Sequence, residues 1–131
     1  MMIFLDTDVC IAILRGKEPS LESKLMELPM TSVEIPSVVA AELWVGVHKS
    51  DNPTRAEAKL QLFLRNLRIT AFDEAAARKY GETRADLESQ GISIGGNDLL
   101  IAATVLARPG RLITRNQREY TRVRELRVET W

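Results

Sequence analysis

The segment MIFLDTDVCIAILRG, residues 2–16, indicates the class of fold most directly. Its first four residues, Met2 to Leu5, are all apolar and have the character of a buried strand. A helical pattern follows from Asp8 to Arg15 and stops at Gly16, a residue type that commonly ends helices. A buried strand followed directly by a helix is the repeating unit of a parallel sheet, so this stretch predicts an α/β protein.

Apolar, β-rich runs alternate with helical patterns along the rest of the chain. Strands are predicted over 33–35, 68–72, 112–114 and 127–129. The intervening segments predict helices over 19–28, from 37 past 42, 53–67, 74–91, from 98 to the Pro109-Gly110 pair, and 117–123. Ser37, Asn52 and Asp73 are predicted to cap three of these helices.

Composition narrows the class of protein. With 45% hydrophobic and 27% charged residues, the chain fits one globular domain over residues 1–131. Its 18 basic and 18 acidic side chains cancel, so overall charge neither favours nor excludes a nucleic-acid partner. No apolar run approaches the roughly 20 residues that span a bilayer. The only cysteine, Cys10, has no disulfide partner, so a cytoplasmic protein is expected.

The residues that are scarce also exclude several kinds of site. His48 is the only histidine, so a two-histidine ribonuclease mechanism lacks its second histidine. A Cys/His zinc site would have too few ligands. No glycine-rich phosphate loop of the GxxxxGK[ST] type is present. Carboxylates are the chemical groups that remain.

Three acidic residues lie where apolar residues would be expected. Glu42 is surrounded by apolar residues in SVVAAELWVG, Asp6 ends the first strand, and Asp98 precedes the apolar helix LLIAATVLA. An unpaired buried carboxylate is costly, and several such groups coexist most readily around a divalent cation. Carboxylate oxygens are the ligands that Mg²⁺ and Mn²⁺ prefer.

The predicted sheet places two of these acids, together with Asn116, near the carboxyl ends of its strands. Sites in open parallel sheets form outside the carboxyl ends of the strands. Asp6 directly follows the first strand, Asn116 follows the strand at 112–114, and Glu42 lies within two turns of the second strand. Asp98 follows no strand, so its convergence with the others depends on helix packing.

Four segments together carry a resemblance to a known family. In chain order they are LDTDVC (5–10), SVVAAEL (37–43), SIGGNDLLIAA (93–103) and LITRNQREY (112–120). They resemble the successive motifs of PIN-domain ribonucleases, and especially those of the VapC toxins of bacterial toxin–antitoxin pairs. The resemblance runs from Ile3 to Trp131. It implies a PIN-like three-layer α/β/α fold with a central, mainly parallel sheet.

The resemblance also implies the members of the site. Asp6, Glu42 and Asp98 would bind one or two Mg²⁺ or Mn²⁺ ions. A fourth ligand would be Glu119 or Asn116, and the choice between them stays open. Thr7 and Thr114 would orient carboxylates through hydrogen bonds, although capping of strand ends explains both threonines equally well.

The implied activity is metal-dependent endoribonucleolytic cleavage, by metal-activated water, of a structured RNA such as a tRNA loop. The implied partners are a small VapB-like antitoxin, whose C-terminal segment would lie across the site, and a second copy of the chain in a homodimer. Arg15, Lys17, Arg84, Arg115 and Arg118 are candidate phosphate contacts.

Two alternative functions are kept. Because the fourth acid is ambiguous, the chain could be a catalytically idle PIN-fold module that binds a partner. The second alternative is a haloacid-dehalogenase-type phosphatase that uses Asp6 and Asp8, since strand–Asp-Thr-Asp resembles its nucleophile motif. That class needs a downstream lysine in a particular context, which neither Lys59 nor Lys79 has. Asp8 is therefore interpreted as the N-cap of its helix or as an outer contact of the metal.

Overall fold

A single parallel sheet organises the chain in the computed structural model, which describes residues 1–131. Its strands are β1 (Met2–Leu5), β2 (Val33–Pro36), β3 (Arg68–Thr70), β4 (Gly110–Ile113) and β5 (Val128–Glu129). They lie in the order β3-β2-β1-β4-β5, and every pair of neighbours is parallel. The predicted α/β fold is confirmed, and the sheet is entirely rather than mainly parallel.

The helices cover both faces of this sheet. They are α1 (Thr7–Arg15), α2 (Pro19–Met26), α3 (Ser37–His48), α4 (Pro53–Leu64), α5 (Glu74–Ser89), α6 (Gly96–Leu106) and α7 (Gln117–Tyr120), with a short 3₁₀ turn at Met30–Ser32. From β1 the chain adds β2 and then β3 toward one edge of the sheet. It then crosses back over these strands to place β4 on the other side of β1. Because crossovers are right-handed, α1 to α4 lie on one face, and α5 and α6 lie on the other.

The strands read as continuous apolar runs because both faces of the sheet are covered. Phe4, Leu5, Ile35, Leu112 and Ile113 have no exposed surface. They belong to one cluster of buried hydrophobic residues that also includes residues from α1, α3 and α6. The apolar runs therefore fix where the sheet forms, while polar residues at its carboxyl edge are left for other roles.

The carboxyl edge has a switch point between β1 and β4, the place where ligands bind in open α/β sheets. The chain leaves β1 toward β2 on one side and leaves β4 toward β5 on the other, so a crevice opens between the carboxyl ends of these two strands. Leu5 lies opposite Ile113 in the register. Asp6 and Thr114, the next residue of each strand, therefore emerge side by side.

Some predicted details are confirmed and others are wrong. Asn52 and Asp73 cap α4 and α5, accepting hydrogen bonds from the backbone N–H groups of Arg55 and Ala76. Ser37 is not a cap, because β2 runs through Pro36 straight into α3 and Ser37 is already the first helical residue. Its hydroxyl oxygen instead accepts the N–H of Phe72 at 3.3 Å.

Several predicted boundaries also shift by a few residues. The second and fourth helices end at Met26 and Leu64, earlier than predicted, and α6 begins at Gly96. None of the helices combines the length and apolar character needed to cross a membrane.

Candidate active site

Asp6 lies at the centre of the crevice and is only 4% exposed. One carboxylate oxygen, Oδ1, accepts the backbone N–H of Thr7 at 2.8 Å. The other, Oδ2, accepts the hydroxyl of Thr114 at 2.6 Å, across the β1–β4 pair. The backbone N–H of Asn116 donates to the Thr114 hydroxyl oxygen at 2.9 Å, which fixes the orientation of that hydroxyl.

Glu42 reaches the same crevice from α3. Thr7 at the start of α1 donates its hydroxyl to Glu42 Oε1 at 2.7 Å. Glu42 is partly exposed rather than buried, because α3 turns Val45 and Gly46 toward solvent. Its apolar sequence neighbours predict more burial than Glu42 has. They nevertheless identify correctly a carboxylate that lies next to the core at the site.

Asp98 enters from the first turn of α6 and is held by a residue to which the sequence analysis assigned no role. Tyr120, the last residue of α7, is fully buried. Its hydroxyl oxygen lies 3.2 Å from Asp98 Oδ1 and 3.3 Å from Asp6 Oδ1. The only signal in the sequence is one aromatic residue in the polar segment RNQREY, and that signal does not reveal where the hydroxyl points.

Asp8 is not the N-cap of its helix, because α1 begins one residue earlier and Asp6 precedes it. Its Oδ1 accepts the N–H of Val9 at 2.7 Å, and its Oδ2 accepts the N–H of Arg115 at 3.1 Å. Asp8 therefore ties α1 to the loop that follows β4.

Glu119 and Asn116, the two candidates for the fourth position, differ in their relation to the acids. The negative charge of Glu119 is close enough to Asp98 to raise its pKa. Asn116 is exposed, and its side chain makes no hydrogen bond to any of the acids. Glu119 therefore interacts electrostatically with Asp98, while Asn116 donates its backbone N–H to the hydroxyl oxygen of Thr114.

The acids repel one another and are poorly hydrated. Burial raises the pKa of Asp6 to about 6 from its ordinary 3.8, and the charges of Asp8 and Asp98 act in the same direction. Burial also raises the pKa of Asp98, helped by the charges of Glu42, Glu119 and Asp8 and opposed by the hydrogen bond from Tyr120. Burial and the charges of Asp6 and Asp98 raise the pKa of Tyr120 well above its ordinary value, so its hydroxyl remains a donor.

The carboxylates lie in one crevice, but their oxygens do not converge on a single position that an ion could occupy. No group of three or more aspartate, glutamate, histidine or cysteine side chains lies close enough together to hold a single ion as the side chains stand. Each acid is instead directed by a protein donor: Thr114 and Thr7 for Asp6, Thr7 for Glu42, and Tyr120 for Asp98.

The raised pKa of Asp6 predicts a pH-dependent cost to stability in the absence of metal. The pKa in the folded protein lies above the unfolded value, so the contribution of Asp6 to stability is fully present below about pH 4 and is lost as pH rises through about 6. Asp6→Asn cannot ionise. We expect it to gain up to about 3 kcal/mol relative to the wild type between pH 4 and 7.

Urea denaturation of both proteins in EDTA at several pH values measures this difference. Any hydrogen bond lost in the variant contributes a constant offset, so only the slope of the difference with pH is diagnostic. A difference that does not change with pH would contradict the perturbed ionisation of Asp6.

Two of the five candidate phosphate contacts are engaged with acids. Arg115 pairs with Glu18 at 2.6 Å, and Arg84 pairs with Glu88 at 2.8 Å. Arg15, Glu42 and Lys59 line a groove of about 390 Å³ between α1, α3 and α4. Apolar residues of the three helices line the same groove: Ile11, Leu14, Leu43, Val47 and Leu60.

Comparison with known proteins identifies the family. The family model of the PIN domain matches residues 3–126. Ribonuclease VapC2 of Rickettsia felis is 37% identical to this chain, and the alignment covers 100% of the chain and 98% of that protein. The tRNA(fMet)-specific endonuclease VapC of Shigella flexneri is 34% identical, with the same coverage.

Solved structures agree with these relatives. A chain in the crystal structure of VapBC2 from Rickettsia felis, bound to a DNA fragment from their promoter, superposes with a TM-score of 0.94. Its sequence is 36% identical, and the match covers 100% of this chain and 99% of that one. Nothing in these matches favours the phosphatase alternative. The chain belongs to the VapC family of PIN-domain ribonucleases.

Proposed function

We propose that the protein is the toxin of a toxin–antitoxin pair and that it cleaves a structured RNA with the help of Mg²⁺ or Mn²⁺. The observation that carries this proposal is the crevice itself. Asp6, Glu42, Asp98 and Glu119 come from four separate segments around the switch point of the sheet. Besides burial, the charge of Asp98 raises the pKa of Asp6, and the charges of Glu42 and Glu119 raise that of Asp98, while Thr7 donates a hydrogen bond to Glu42. Structural ion pairing does not explain them, because none of the four has a basic partner.

The donor set suits a hard divalent cation. All four side chains offer carboxylate oxygens, which Mg²⁺ and Mn²⁺ prefer. A cation would also relieve the repulsion that raises the pKa of Asp98. Asp6, Glu42 and Asp98 would hold the ion, and Glu119 would complete its surroundings. When bound, the ion supplies a Lewis acid that lowers the pKa of water and offsets charge that builds up on phosphate.

The residues of the chain prepare this site in other ways. Thr114 and Thr7 hold Asp6 and Glu42 in fixed directions, so these two side chains lose less conformational freedom when an ion and RNA bind. Burial of Asp6 lowers the local dielectric and strengthens the interaction of its charge with a cation. Arg15 beside Glu42 is placed to neutralise a phosphate of the RNA backbone.

A structured RNA with an exposed loop is the proposed substrate. The acids are recessed, so the scissile phosphate must be displayed on an unpaired strand to reach them. The Shigella relative is named as a tRNA-specific endonuclease, which supports tRNA as the first substrate to test. Sequencing the RNA ends that appear on induced expression would test the function. New ends concentrated at one loop position are expected, and an unchanged set of ends would favour the idle-module alternative.

An antitoxin is the proposed protein partner, because the matching structures are toxin–antitoxin complexes. The groove next to Glu42 supports this proposal, since its apolar walls suit an apolar protein segment better than RNA. A segment seated there would lie across the mouth of the crevice and exclude RNA. Formation of a homodimer stays a prediction, which light scattering of the isolated protein would test.

The assignment of Glu119 leads to a prediction about charge. Glu119→Gln keeps the shape of the side chain and removes its charge, so Mn²⁺ binding should weaken and turnover should fall by the roughly 10–100-fold typical of outer metal contacts. Asn116→Asp should be tolerated, because it adds a carboxylate at the same edge. Titration calorimetry with Mn²⁺ and single-turnover cleavage measure both effects.

Glu57→Gln on α4 is the matched control, since it removes the same charge from an exposed side chain that does not affect the pKa of Asp6 or Asp98. Normal metal affinity in Glu119→Gln, together with loss of affinity in Asn116→Ala, would transfer the fourth position to Asn116. If neither change has an effect, three acids suffice.

A further inference from the structure

The hydroxyl of Tyr120 is placed between the carboxylates of two different elements. Its oxygen lies within hydrogen-bond distance of Asp6 Oδ1, at the end of β1, and of Asp98 Oδ1, in the first turn of α6. A phenol has one proton and donates to one acceptor at a time. The two carboxylates therefore compete for a single donor.

The competition favours Asp98. Asp6 already accepts the Thr7 N–H and the Thr114 hydroxyl, at 2.8 Å and 2.6 Å. Asp98 accepts a hydrogen bond from no other group of the protein, and the charges of Glu42, Glu119 and Asp8 repel it. The Tyr120 hydroxyl is therefore the only hydrogen-bond donor of the protein that reaches the Asp98 side chain.

Packing alone does not account for a hydroxyl at this position. The ring of Tyr120 lies in the hydrophobic core, where phenylalanine would fill nearly the same space. Burying a hydroxyl without a partner costs roughly 1–3 kcal/mol. The two carboxylates are the only hydrogen-bond partners of this one, so its contribution is made at the site.

We propose that Tyr120 is a positioning residue, whose hydroxyl holds Asp98 toward Asp6 so that the two carboxylates are correctly spaced for the cation they share. This inference rests on the proposed function. In this role the hydroxyl acts through the carboxylates to which it can donate. It restricts the rotamer of Asp98, while Thr114 restricts that of Asp6.

Tyr120→Phe tests the role, because it removes the hydroxyl and keeps the ring. We expect the Mn²⁺ dissociation constant, measured by titration calorimetry, to rise by about 10-fold or more. At fixed metal concentration kcat should fall by a similar factor, while KM for RNA stays nearly constant, since the basic residues that contact RNA are untouched. Excess Mn²⁺ should restore much of the turnover.

Tyr80→Phe is the matched control. Tyr80 is the other tyrosine, and its hydroxyl accepts a hydrogen bond from Arg84 at 3.1 Å on α5, away from the acids. This variant should behave like the wild type, and thermal unfolding should show that both variants fold.

The outcomes separate this inference from the function on which it depends. Wild-type protein that binds no Mn²⁺ and cleaves no RNA would overturn both. Active wild-type protein together with an unchanged Mn²⁺ affinity and kcat in Tyr120→Phe would overturn only the positioning role. A fall in kcat that excess Mn²⁺ leaves uncorrected, with normal Mn²⁺ affinity, would equally contradict it.

Discussion

Asp98→Asn is expected to reduce RNA cleavage by more than about 100-fold, the upper end of the loss seen when only an outer contact of a metal is removed. The change removes one of the charges that would hold the cation and alters the side-chain volume very little. The amide oxygen can still accept the Tyr120 hydroxyl, so the local structure should persist. Cleavage of a labelled tRNA by the purified variant measures the effect.

The same variant should be at least as stable as the wild type without metal. Burial and the charges of Glu42, Glu119 and Asp8 raise the pKa of Asp98, which means that its ionised form is disfavoured in the folded protein. Removing that charge should raise the melting temperature in EDTA. Asp51→Asn on the exposed turn before α4 is the matched control and should change neither property. Undiminished cleavage by Asp98→Asn would disprove the site assignment.

Removal of divalent metal is expected to abolish cleavage altogether and reversibly. Mg²⁺ or Mn²⁺ added after EDTA should restore activity. Ca²⁺ should bind yet support cleavage poorly, because its larger and looser coordination misplaces water and phosphate. The measurement is a cleavage time course after exhaustive chelation and stepwise addition of each metal.

Metal binding should also stabilise the folded protein, by an amount that grows with metal concentration. Asp98→Asn should show little of this increase and serves as the control for non-specific salt effects. Full activity in EDTA would rule out a metal-dependent mechanism. Release of phosphate from small phosphomonoesters would instead support phosphatase chemistry.

The parallel sheet and part of the crevice follow from the sequence because they depend on local patterns. A strand such as Met2–Leu5 is buried on both faces, and such a strand reads as a continuous apolar run. Once β1 and β4 are recognised as parallel, Asp6 and Thr114 must emerge at the same edge. Ser37 was misjudged because a cap requires a break between strand and helix, and β2 and α3 have none.

The convergence of Asp98 and Tyr120 could not be predicted from local patterns. Asp98 begins a helix that follows a loop rather than a strand, so no sheet register fixes its position. Tyr120 is fully buried, yet it ends a four-residue helix whose other members are polar and largely exposed. Its position follows from how α7 and α6 pack on the sheet, a long-range property that periodicity does not encode.

The position of β4 in the sheet has a consequence for the time at which activity appears. This strand lies next to β1, although residues 110–113 are synthesised long after residues 2–5. The bond from Thr114 to Asp6 joins residues 108 positions apart, and such non-local contacts form late in folding. A nascent chain whose β4 and α7 have not yet left the ribosome lacks the Thr114 hydroxyl that binds Asp6 and the Tyr120 hydroxyl that binds Asp98. We therefore expect cleavage to appear only once β4 and α7 have packed against the rest of the sheet.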